Sequence, residues 1–315
     1  MTLLSIVVPS FNEEKVLEIF YSEISKEFIA LEKAGAELEI IFVDDGSTDN
    51  TINIIKTLRK NDSHIRYISF SRNFGKESAI FAGLEKSKGD YVVIMDADLQ
   101  DPPSMLLMMF KAIHEDGYDA VATKRVTRKG EPFVRSLFAR SYYKLMRWIS
   151  RTEFIDGARD FRMMRRQMVN AILSMKEYNR FIKGINEWVG FKTKWFEYEN
   201  IQRAAGNTKW SFWKLFLYSL DGITDFSIVP LVMSSLFGVI FCLLSFLFTM
   251  FILLKTFVAG DQVGIWAYFA SAILGIEGLQ FIFLGVLGQY LAKTYLETKN
   301  RPIYITREDE TTHVA

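Results

Sequence analysis

The N-terminal part of the chain alternates between short apolar runs and longer segments with helical periodicity. Four largely apolar runs have the length of buried strands, at residues 4–8, 39–43, 65–70 and 91–95. Three segments between them repeat apolar residues every three or four positions, as amphipathic helices do, at residues 14–32, 49–59 and 77–86. Strands that lack polar alternation and are separated by helices predict an α/β domain, with a mostly parallel, Rossmann-like sheet covered on both faces.

Two much longer apolar runs dominate the C-terminal part of the chain. Residues 228–254 contain no charged residue, and residues 263–292 contain one, Glu277. About 20 apolar residues suffice to cross a bilayer, so the runs predict transmembrane helices at 228–254 and 264–292, with a pair of buried core helices as the alternative. The predicted hairpin is flanked by the basic residues Lys209, Lys214, Lys293, Lys299 and Arg301. The positive-inside rule then predicts that both termini are cytoplasmic.

Two further segments interleave basic residues with large aromatic side chains, at about residues 133–150 and at 211–226. This mixture predicts helices that lie in the membrane interface, and ordinary packing against the sheet is the alternative. The predicted organisation has four parts: an α/β domain at 1–210 that includes the first interfacial helix, a juxtamembrane amphipathic helix at 211–226, the two-helix hairpin at 227–293 and a cytoplasmic tail at 294–315.

Composition excludes several classes of site. The chain has 315 residues and a formal net charge of +1, which gives no indication of a nucleic-acid partner. Its one cysteine, Cys242, excludes a disulfide within the chain and a cysteine-based metal centre. The three histidines do not have the spacing of metal ligands. The first residues lack the basic and apolar regions of a signal peptide, so we expect the N-terminal domain in the cytoplasm.

Acidic residues follow three of the four predicted strands. Asn12-Glu13 comes after the first strand, Asp44-Asp45 after the second and Asp96-Ala97-Asp98 after the fourth. The carboxyl ends of parallel strands meet at one edge of a sheet, where clustered carboxylates repel one another unless a cation compensates them. A hard divalent cation prefers such oxygen ligands and often bridges to substrate phosphates. Each pair alone is also compatible with a turn or a helix cap.

Three motifs carry a resemblance to a known family: residues 6–13 (IVVPSFNE), 43–49 (VDDGSTD) and 96–103 (DADLQDPP). They resemble family 2 glycosyltransferases of the GT-A fold. Within that family the chain resembles the polyprenyl-phosphate branch, which includes dolichol-phosphate mannosyltransferases and, more closely, bactoprenol (undecaprenyl-phosphate) glucosyltransferases. The closer resemblance rests on residues 71–77 (SRNFGKE), 203–210 (RAAGNTKW), 288–291 (GQYL) and 299–302 (KNRP). The chain departs from the pattern at Ala158-Arg159, where relatives tend to have a small Thr-Gly or Ser-Gly pair.

The resemblance implies a role for each candidate residue. The nucleotide-sugar is expected to contact Pro9, Asn12, Glu13, Asp45, Lys76, Asp96 and Gln100. A Mg²⁺ or Mn²⁺ ion is expected on Asp96, Asp98 and Gln100. The expected catalytic residues are Asp160, Asp98, Arg203 and Lys209, of which the last two clamp the donor diphosphate or the lipid phosphate. The acceptor phosphate is expected at Arg162 and Arg72. The alternative for Arg162 is an ion pair with the neighbouring Asp160 that fixes the loop, and the alternative for Arg72 is a surface charge.

The role of Asp160 stays open at this point, with Asp156 as an alternate candidate. In transfer to a hydroxyl such a carboxylate is the general base. A phosphate monoester has a second pKa of about 6 and is largely anionic at neutral pH, so Asp160 either acts as a base or only positions the acceptor.

The resemblance implies an inverting transfer of a hexose from a UDP-sugar to undecaprenyl phosphate at the cytoplasmic membrane face. Glucose is the hexose that the resemblance favours. The product is a polyprenyl-phosphate-sugar donor for cell-envelope glycosylation. The alternative donor is UDP-N-acetylglucosamine. A homo-oligomer is compatible with this function.

Three rival functions are compatible with parts of the sequence. A processive polysaccharide synthase is disfavoured because the chain has no Gln-x-x-Arg-Trp motif. A nucleotidyltransferase can be built on a similar sheet, but it would lack the two long apolar runs. A non-catalytic membrane scaffold is the rival outside enzymes, and the acidic motifs argue against it.

Overall fold

A computed structural model describes residues 2–126, 155, 157–199, 220, 223–225, 227, 229–259 and 265–310. Within these residues the chain forms a mixed sheet whose strands are β1 (Thr2–Ser10), β2 (Ala36–Asp44), β3 (Ile65–Phe70), β4 (Tyr91–Ile94), β5 (Ala120–Arg125), β6 (Ala158–Arg165), β7 (Thr193–Tyr198) and β8 (Thr306–Asp309). The spatial order of the strands is β7-β5-β6-β4-β1-β2-β3-β8. The four strands predicted from apolar runs are β1 to β4, and they lie side by side in the centre.

The centre of the sheet is parallel and its flanks are mixed. Strand β1 pairs in parallel with β2 and β4, and β2 pairs in parallel with β3. Strand β6 runs antiparallel to both β4 and β5, and β7 runs parallel to β5. The predicted α/β class with a mostly parallel sheet is therefore confirmed. The reversal at β6 brings the beginning of that strand to the same edge as the ends of β1, β2 and β4.

Seven helices of the described residues accompany the sheet: α1 (Leu17–Ser25), α2 (Phe28–Lys33), α3 (Thr51–Asn61), α4 (Lys76–Lys86), α5 (Met105–Glu115), α6 (Arg166–Ser174) and α7 (Ile182–Trp188). The prediction of a single helix at 14–32 is wrong, because this segment is divided into α1 and α2. The amide of Glu27 donates to the carbonyl of Ile24 at 3.0 Å, which tightens the backbone between them.

The apolar core lies on both faces of the sheet. Ile6 and Val8 of β1 are buried with Phe20 of α1 on one face. Val7 is buried on the other face with Ile80 of α4. Burial of both faces explains why β1 has no alternation of polar and apolar residues.

Helix α4 packs unusually close to the sheet. A Cβ atom at Gly83 would lie 2.2 Å from Cγ1 of Val7, so a larger residue at this position would push the helix outward. The close approach fixes the position of α4 over β1, and with it the position of Lys76 at the start of the helix.

Two long helices follow the α/β domain: α8 (Val229–Ala259) and α9 (Ile265–Thr298). In the part of the chain that the structure describes, no helix combines the length and the apolar character needed to cross a bilayer, so the predicted transmembrane hairpin is not supported. The interfacial helix predicted at 133–150 lies outside the described residues, as does most of the segment 211–226.

The C-terminal segment returns to the sheet, which the sequence does not predict. Strand β8 pairs antiparallel with β3, so the residues expected to form a simple tail supply an edge strand. The Tyr304 ring stacks on Phe70 with 4.9 Å between ring centroids. Its hydroxyl donates to Glu85 at 2.5 Å. Arg66 of β3 also forms an ion pair of 2.9 Å with Glu310. The polar β8 sequence has no apolar pattern that would predict a strand.

We expect Tyr304→Ala to destabilise the full chain by about 2 kcal/mol, because it removes a ring stacked in the domain and leaves a cavity. The control is Ile305→Ala, since Ile305 is 51% exposed. Chemical unfolding of the purified protein in detergent measures both. Equal stability of the two variants would show that the C-terminal segment does not pack on the sheet.

Candidate active site

The sheet topology brings predicted site residues of the described part of the chain to one edge. Strands β1, β2 and β4 end there with Ser10, Asp44 and Ile94. In the antiparallel pair of β4 and β6, Ile94 lies opposite Arg162, so Asp160 lies beyond the end of β4. Residues far apart in the sequence thus meet at one edge of the sheet.

The loops after β1 and β2 hold each other in place. Asn12 has a positive φ of 52°, and its side-chain Oδ1 accepts a hydrogen bond from the amide of Thr48 at 2.8 Å. The amide of Asn12 donates to the Ser47 hydroxyl at 2.9 Å. The amide of Glu13 donates to the Thr51 hydroxyl at 2.8 Å. Pro9 is half-buried near the end of β1. Because the two loops hydrogen-bond to each other, the candidate donor-binding residues on them lie together on one surface.

Asp45 is buried and clamps the loop before α4. Its carboxylate accepts from the amide of Phe74 at 2.6 Å and from the amide of Gly75 at 3.0 Å. Burial raises the pKa of Asp45 to about 6, although the two amides act in the opposite direction. Gly46 is required next to it, because a Cβ atom there would lie 2.4 Å from the backbone of Arg72. Asp45 therefore positions residues 72–75 whether or not it also contacts a nucleobase.

Lys76 lies between two of the predicted acidic residues. Its Nζ is 2.8 Å from Asp96 and 2.5 Å from Oδ2 of Asp160. Burial acts to lower the pKa of Lys76, but the carboxylates of Asp160 and Asp96 outweigh it and raise that pKa. Burial acts to raise the pKa of Asp160, but Lys76 and Lys183 outweigh it and hold that pKa well below its usual range. The cluster is therefore an ammonium shared by two carboxylates.

The loop after β4 carries the Asp-x-Asp pair. Oδ1 of Asp98 accepts a hydrogen bond from the amide of Gln100 at 3.1 Å. Leu99 between them has a positive φ of 56°, which turns the loop sharply. Asp96, Asp98 and Gln100 are each partly exposed at the sheet edge.

Arg159 has a role that the sequence did not reveal. Its Nε donates to Asp101 at 3.0 Å, and its Nη2 is 3.5 Å from Oε1 of Gln100. Asp101 is only 1% exposed, and it also accepts from the Tyr198 hydroxyl. Arg159 was visible in the sequence only as a departure from the family pattern. In the structure it ties the beginning of β6 to the Asp-x-Asp loop.

The two arginines predicted at the acceptor phosphate have different surroundings. Arg162 is 2% exposed, and its Nη2 lies 2.6 Å from Glu187 of α7. The Asp–Arg pair expected as the alternative is not what forms there, because Asp160 pairs with Lys76 instead. Its Nε and Nη1 have no hydrogen-bond partner among the described residues. Arg72 is exposed and stacks on the Phe74 ring at 4.0 Å. Arg203, Lys209 and Asp156 lie outside the described residues.

The chemistry of the donor atoms fits a hard divalent cation. Asp96, Asp98 and Gln100 offer only oxygen ligands, and Oδ1 of Asp160 is buried without a hydrogen-bond partner among the described residues. No group of three or more acidic, histidine or cysteine side chains in the described part of the chain could hold a metal alone. One or two carboxylates suffice for Mg²⁺ when substrate phosphates complete its coordination.

The fold and the acidic edge of the sheet are those of a glycosyltransferase. The chain belongs to glycosyltransferase family 2, because the model of that family, Glycosyl transferase family 2, matches residues 5–173. This confirms the resemblance seen in the motifs.

Particular relatives match over nearly the whole chain. The chain is 42% identical over 306 residues to the putative glycosyltransferase CsbB of Bacillus subtilis, across 97% of this chain and 92% of the relative. It is 40% identical over 304 residues to the prophage bactoprenol glucosyl transferase homolog of Escherichia coli K12 and to the bactoprenol glucosyl transferase of Shigella phage SfX, across 96% of this chain and 98% of each relative.

A solved structure is similar to part of the chain. The glucosyl-3-phosphoglycerate synthase of Mycobacterium tuberculosis, in complex with Mn²⁺, UDP-glucose and phosphoglyceric acid, is 22% identical, with a TM-score of 0.47 across 71% of this chain and 78% of that one.

The raised pKa of Asp45 predicts a pH-dependent contribution to stability. The folded state takes up the Asp45 proton at a pH of about 6, whereas the ordinary value is 3.8, so folding is favoured more as pH falls through this window. Asp45→Asn lacks this titration. We therefore expect the wild-type melting temperature to rise relative to that of Asp45→Asn by at least about 2 °C between pH 7 and pH 4.5.

The control is Glu37→Gln, at an exposed position of β2, the strand that Asp45 directly follows, and it should melt within about 2 °C of the wild type at both pH values. A flat or inverted difference for Asp45→Asn would contradict burial of an ionisable Asp45.

Proposed function

We propose that the protein transfers a hexose from a UDP-sugar to undecaprenyl phosphate at the cytoplasmic face of the membrane, with inversion of the anomeric centre. Glucose is the hexose that we propose. The product serves as a polyprenyl-phosphate-sugar donor for cell-envelope glycosylation. The observation that carries the proposal is the convergence of Asp96 and Asp160 on Lys76 at the carboxyl edge of the sheet, with Asp98 in the loop that follows Asp96. The names of the bactoprenol glucosyl transferases that match nearly the whole chain support the acceptor.

The donor fits the surface formed by the two hydrogen-bonded loops after β1 and β2. Asn12, Glu13 and Asp45 lie at the nucleoside end, and Pro9 lines the strand end beneath them. Lys76, Asp96 and Gln100 lie at the diphosphate end. A Mg²⁺ or Mn²⁺ ion on Asp96, Asp98 and Gln100 would neutralise charge that builds on the departing UDP.

The acceptor supplies its own nucleophile. An oxygen of the anionic lipid phosphate attacks the anomeric carbon, and the bond from that carbon to UDP breaks with its electron pair leaving on UDP. One such displacement inverts the anomeric centre and needs no covalent enzyme intermediate. Because Lys76 holds the pKa of Asp160 low, Asp160 is a weak base, and the anionic acceptor phosphate has no proton that a base must remove. We assign Asp160 the task of orienting the reactants, and we assign phosphate contacts to Arg203, Lys209, Arg72 and Arg162.

Membrane association follows from the acceptor and is supported by the two long helices. Large apolar side chains on α8 and α9 are exposed, among them Phe246 (66%), Trp266 (86%), Phe281 (70%) and Leu291 (66%). The end of α9 is fastened to the segment before α8 by an ion pair of 2.6 Å from Lys293 to Asp225. The hydroxyl of Tyr290 donates to the carbonyl of Ser227 at 2.6 Å. We propose that the helices enter the bilayer as a hairpin with both of its ends on the cytoplasmic side.

Sugar transfer is tested with a panel of radiolabelled UDP-sugars, undecaprenyl phosphate and Mg²⁺. We expect label to enter the organic phase, with UDP-glucose as the best donor, and Asp98→Asn to reduce the rate at least about 100-fold because a ligand of the cation is lost. Asp116→Asn, at the exposed carboxyl end of α5, removes a carboxylate outside the candidate site and should retain the wild-type rate. Absence of lipid-linked label for every donor would refute the proposal.

The membrane arrangement is tested by single cysteines in a Cys242→Ser background. We expect Gln262→Cys to react with a membrane-impermeant thiol reagent in intact spheroplasts. Asn300→Cys should react only after lysis, because it follows the second helix on the cytoplasmic side. Labelling of both positions in intact spheroplasts, or of Asn300→Cys alone, would refute the hairpin.

A further inference from the structure

Lys76 occupies the position at which a cation would compensate Asp96. Its ammonium lies 2.8 Å from Asp96 and 2.5 Å from Asp160, and the exposed fractions of the three side chains are 34%, 25% and 17%. An ammonium has three hydrogen-bond donors, so it can accept a new partner without leaving both carboxylates. Without it, the two carboxylates would face each other across a partly buried gap with no cation between them.

The same ammonium opposes the binding of a metal ion. A divalent cation on Asp96 would lie close to the positive charge of Lys76, and like charges repel strongly where water is partly excluded. A nucleoside diphosphate changes this balance, because its negative charge attracts both the ammonium and the metal ion. Lys76 is also the first residue of α4, whose amino end favours an anion.

We propose that Lys76 makes divalent-cation binding conditional on the nucleoside diphosphate. Without the nucleotide, the ammonium holds Asp96 and keeps the cation away. When the nucleotide binds, the ammonium moves from Asp96 to the diphosphate while it stays with Asp160, and Asp96 becomes available to the cation. The inference rests on the proposed function, and it adds an order of binding in which the nucleotide precedes or accompanies the metal.

The test measures Mn²⁺ binding to the purified full chain in detergent, by the electron paramagnetic resonance signal of free Mn²⁺, with and without UDP. For the wild type we expect UDP to lower the Kd for Mn²⁺ at least about tenfold. For Lys76→Met without UDP, we expect a Kd at least about tenfold lower than that of the wild type, because the repelling charge is gone. UDP should then lower the Kd for Mn²⁺ by a smaller factor than in the wild type, because only direct coordination by the diphosphate remains.

Three further variants separate this effect from general damage. Lys76→Gln keeps a hydrogen-bond donor but no charge, and should behave as Lys76→Met does, which covers the case in which the methionine variant does not fold. Lys76→Arg keeps the charge and should keep the dependence on UDP. Lys194→Gln removes one positive charge from an exposed pair with Asp116, and should bind Mn²⁺ as the wild type does.

The inference is overturned if the neutral variants at Lys76 bind Mn²⁺ without UDP no more tightly than the wild type. That result, with sugar transfer intact in the wild type, leaves the proposed function standing. If the wild type binds no Mn²⁺ even with UDP and transfers no sugar, the inference and the proposed function both fail.

Discussion

Compensation of negative charge at the carboxyl edge of the sheet is the constraint on which the rest of the structure depends. Parallel strands bring their carboxyl ends together, and in this chain those ends carry acidic residues. Lys76 compensates Asp96 and Asp160, while Arg159 compensates the buried Asp101. Each cation comes from a different element, α4 and β6, so the site exists only when the sheet is complete. The charge-compensated edge therefore requires both α4 and β6 to be in place.

The order of the strands determines which residues meet. Strand β6 inserts antiparallel between β4 and β5, and this places Asp160 opposite the amino end of α4. At the other side, β8 closes the edge of β3 immediately before the loop that Asp45 clamps, and the amide of Ser71 donates to the carbonyl of Ile305 at 3.0 Å. The chain after the two long helices is thus joined to the side of the domain that carries the candidate donor-binding residues.

Much of the centre of the fold could be predicted from the sequence, because its strands are largely apolar runs and its acidic residues directly follow them. Contacts over long sequence distances could not. The partner of Lys76 depends on the antiparallel entry of β6, which no local pattern specifies, and β8 is a polar segment that becomes a strand only by pairing with β3. The ion pair of Arg162 with Glu187 could not be predicted either, because it depends on the packing of α7 against β6. The break between α1 and α2 left the apolar periodicity intact, so it was invisible in the sequence.

The most direct measurement of the central claim is an experimental structure of the full chain with UDP and Mn²⁺ bound. The account predicts that Nζ of Lys76 leaves Asp96 for the diphosphate, remains within hydrogen-bond distance of Asp160, and that Mn²⁺ contacts Asp96 or Asp98. A structure in which Lys76 still bridges Asp96 and Asp160, with the nucleotide bound away from the carboxyl edge of the sheet, would contradict it.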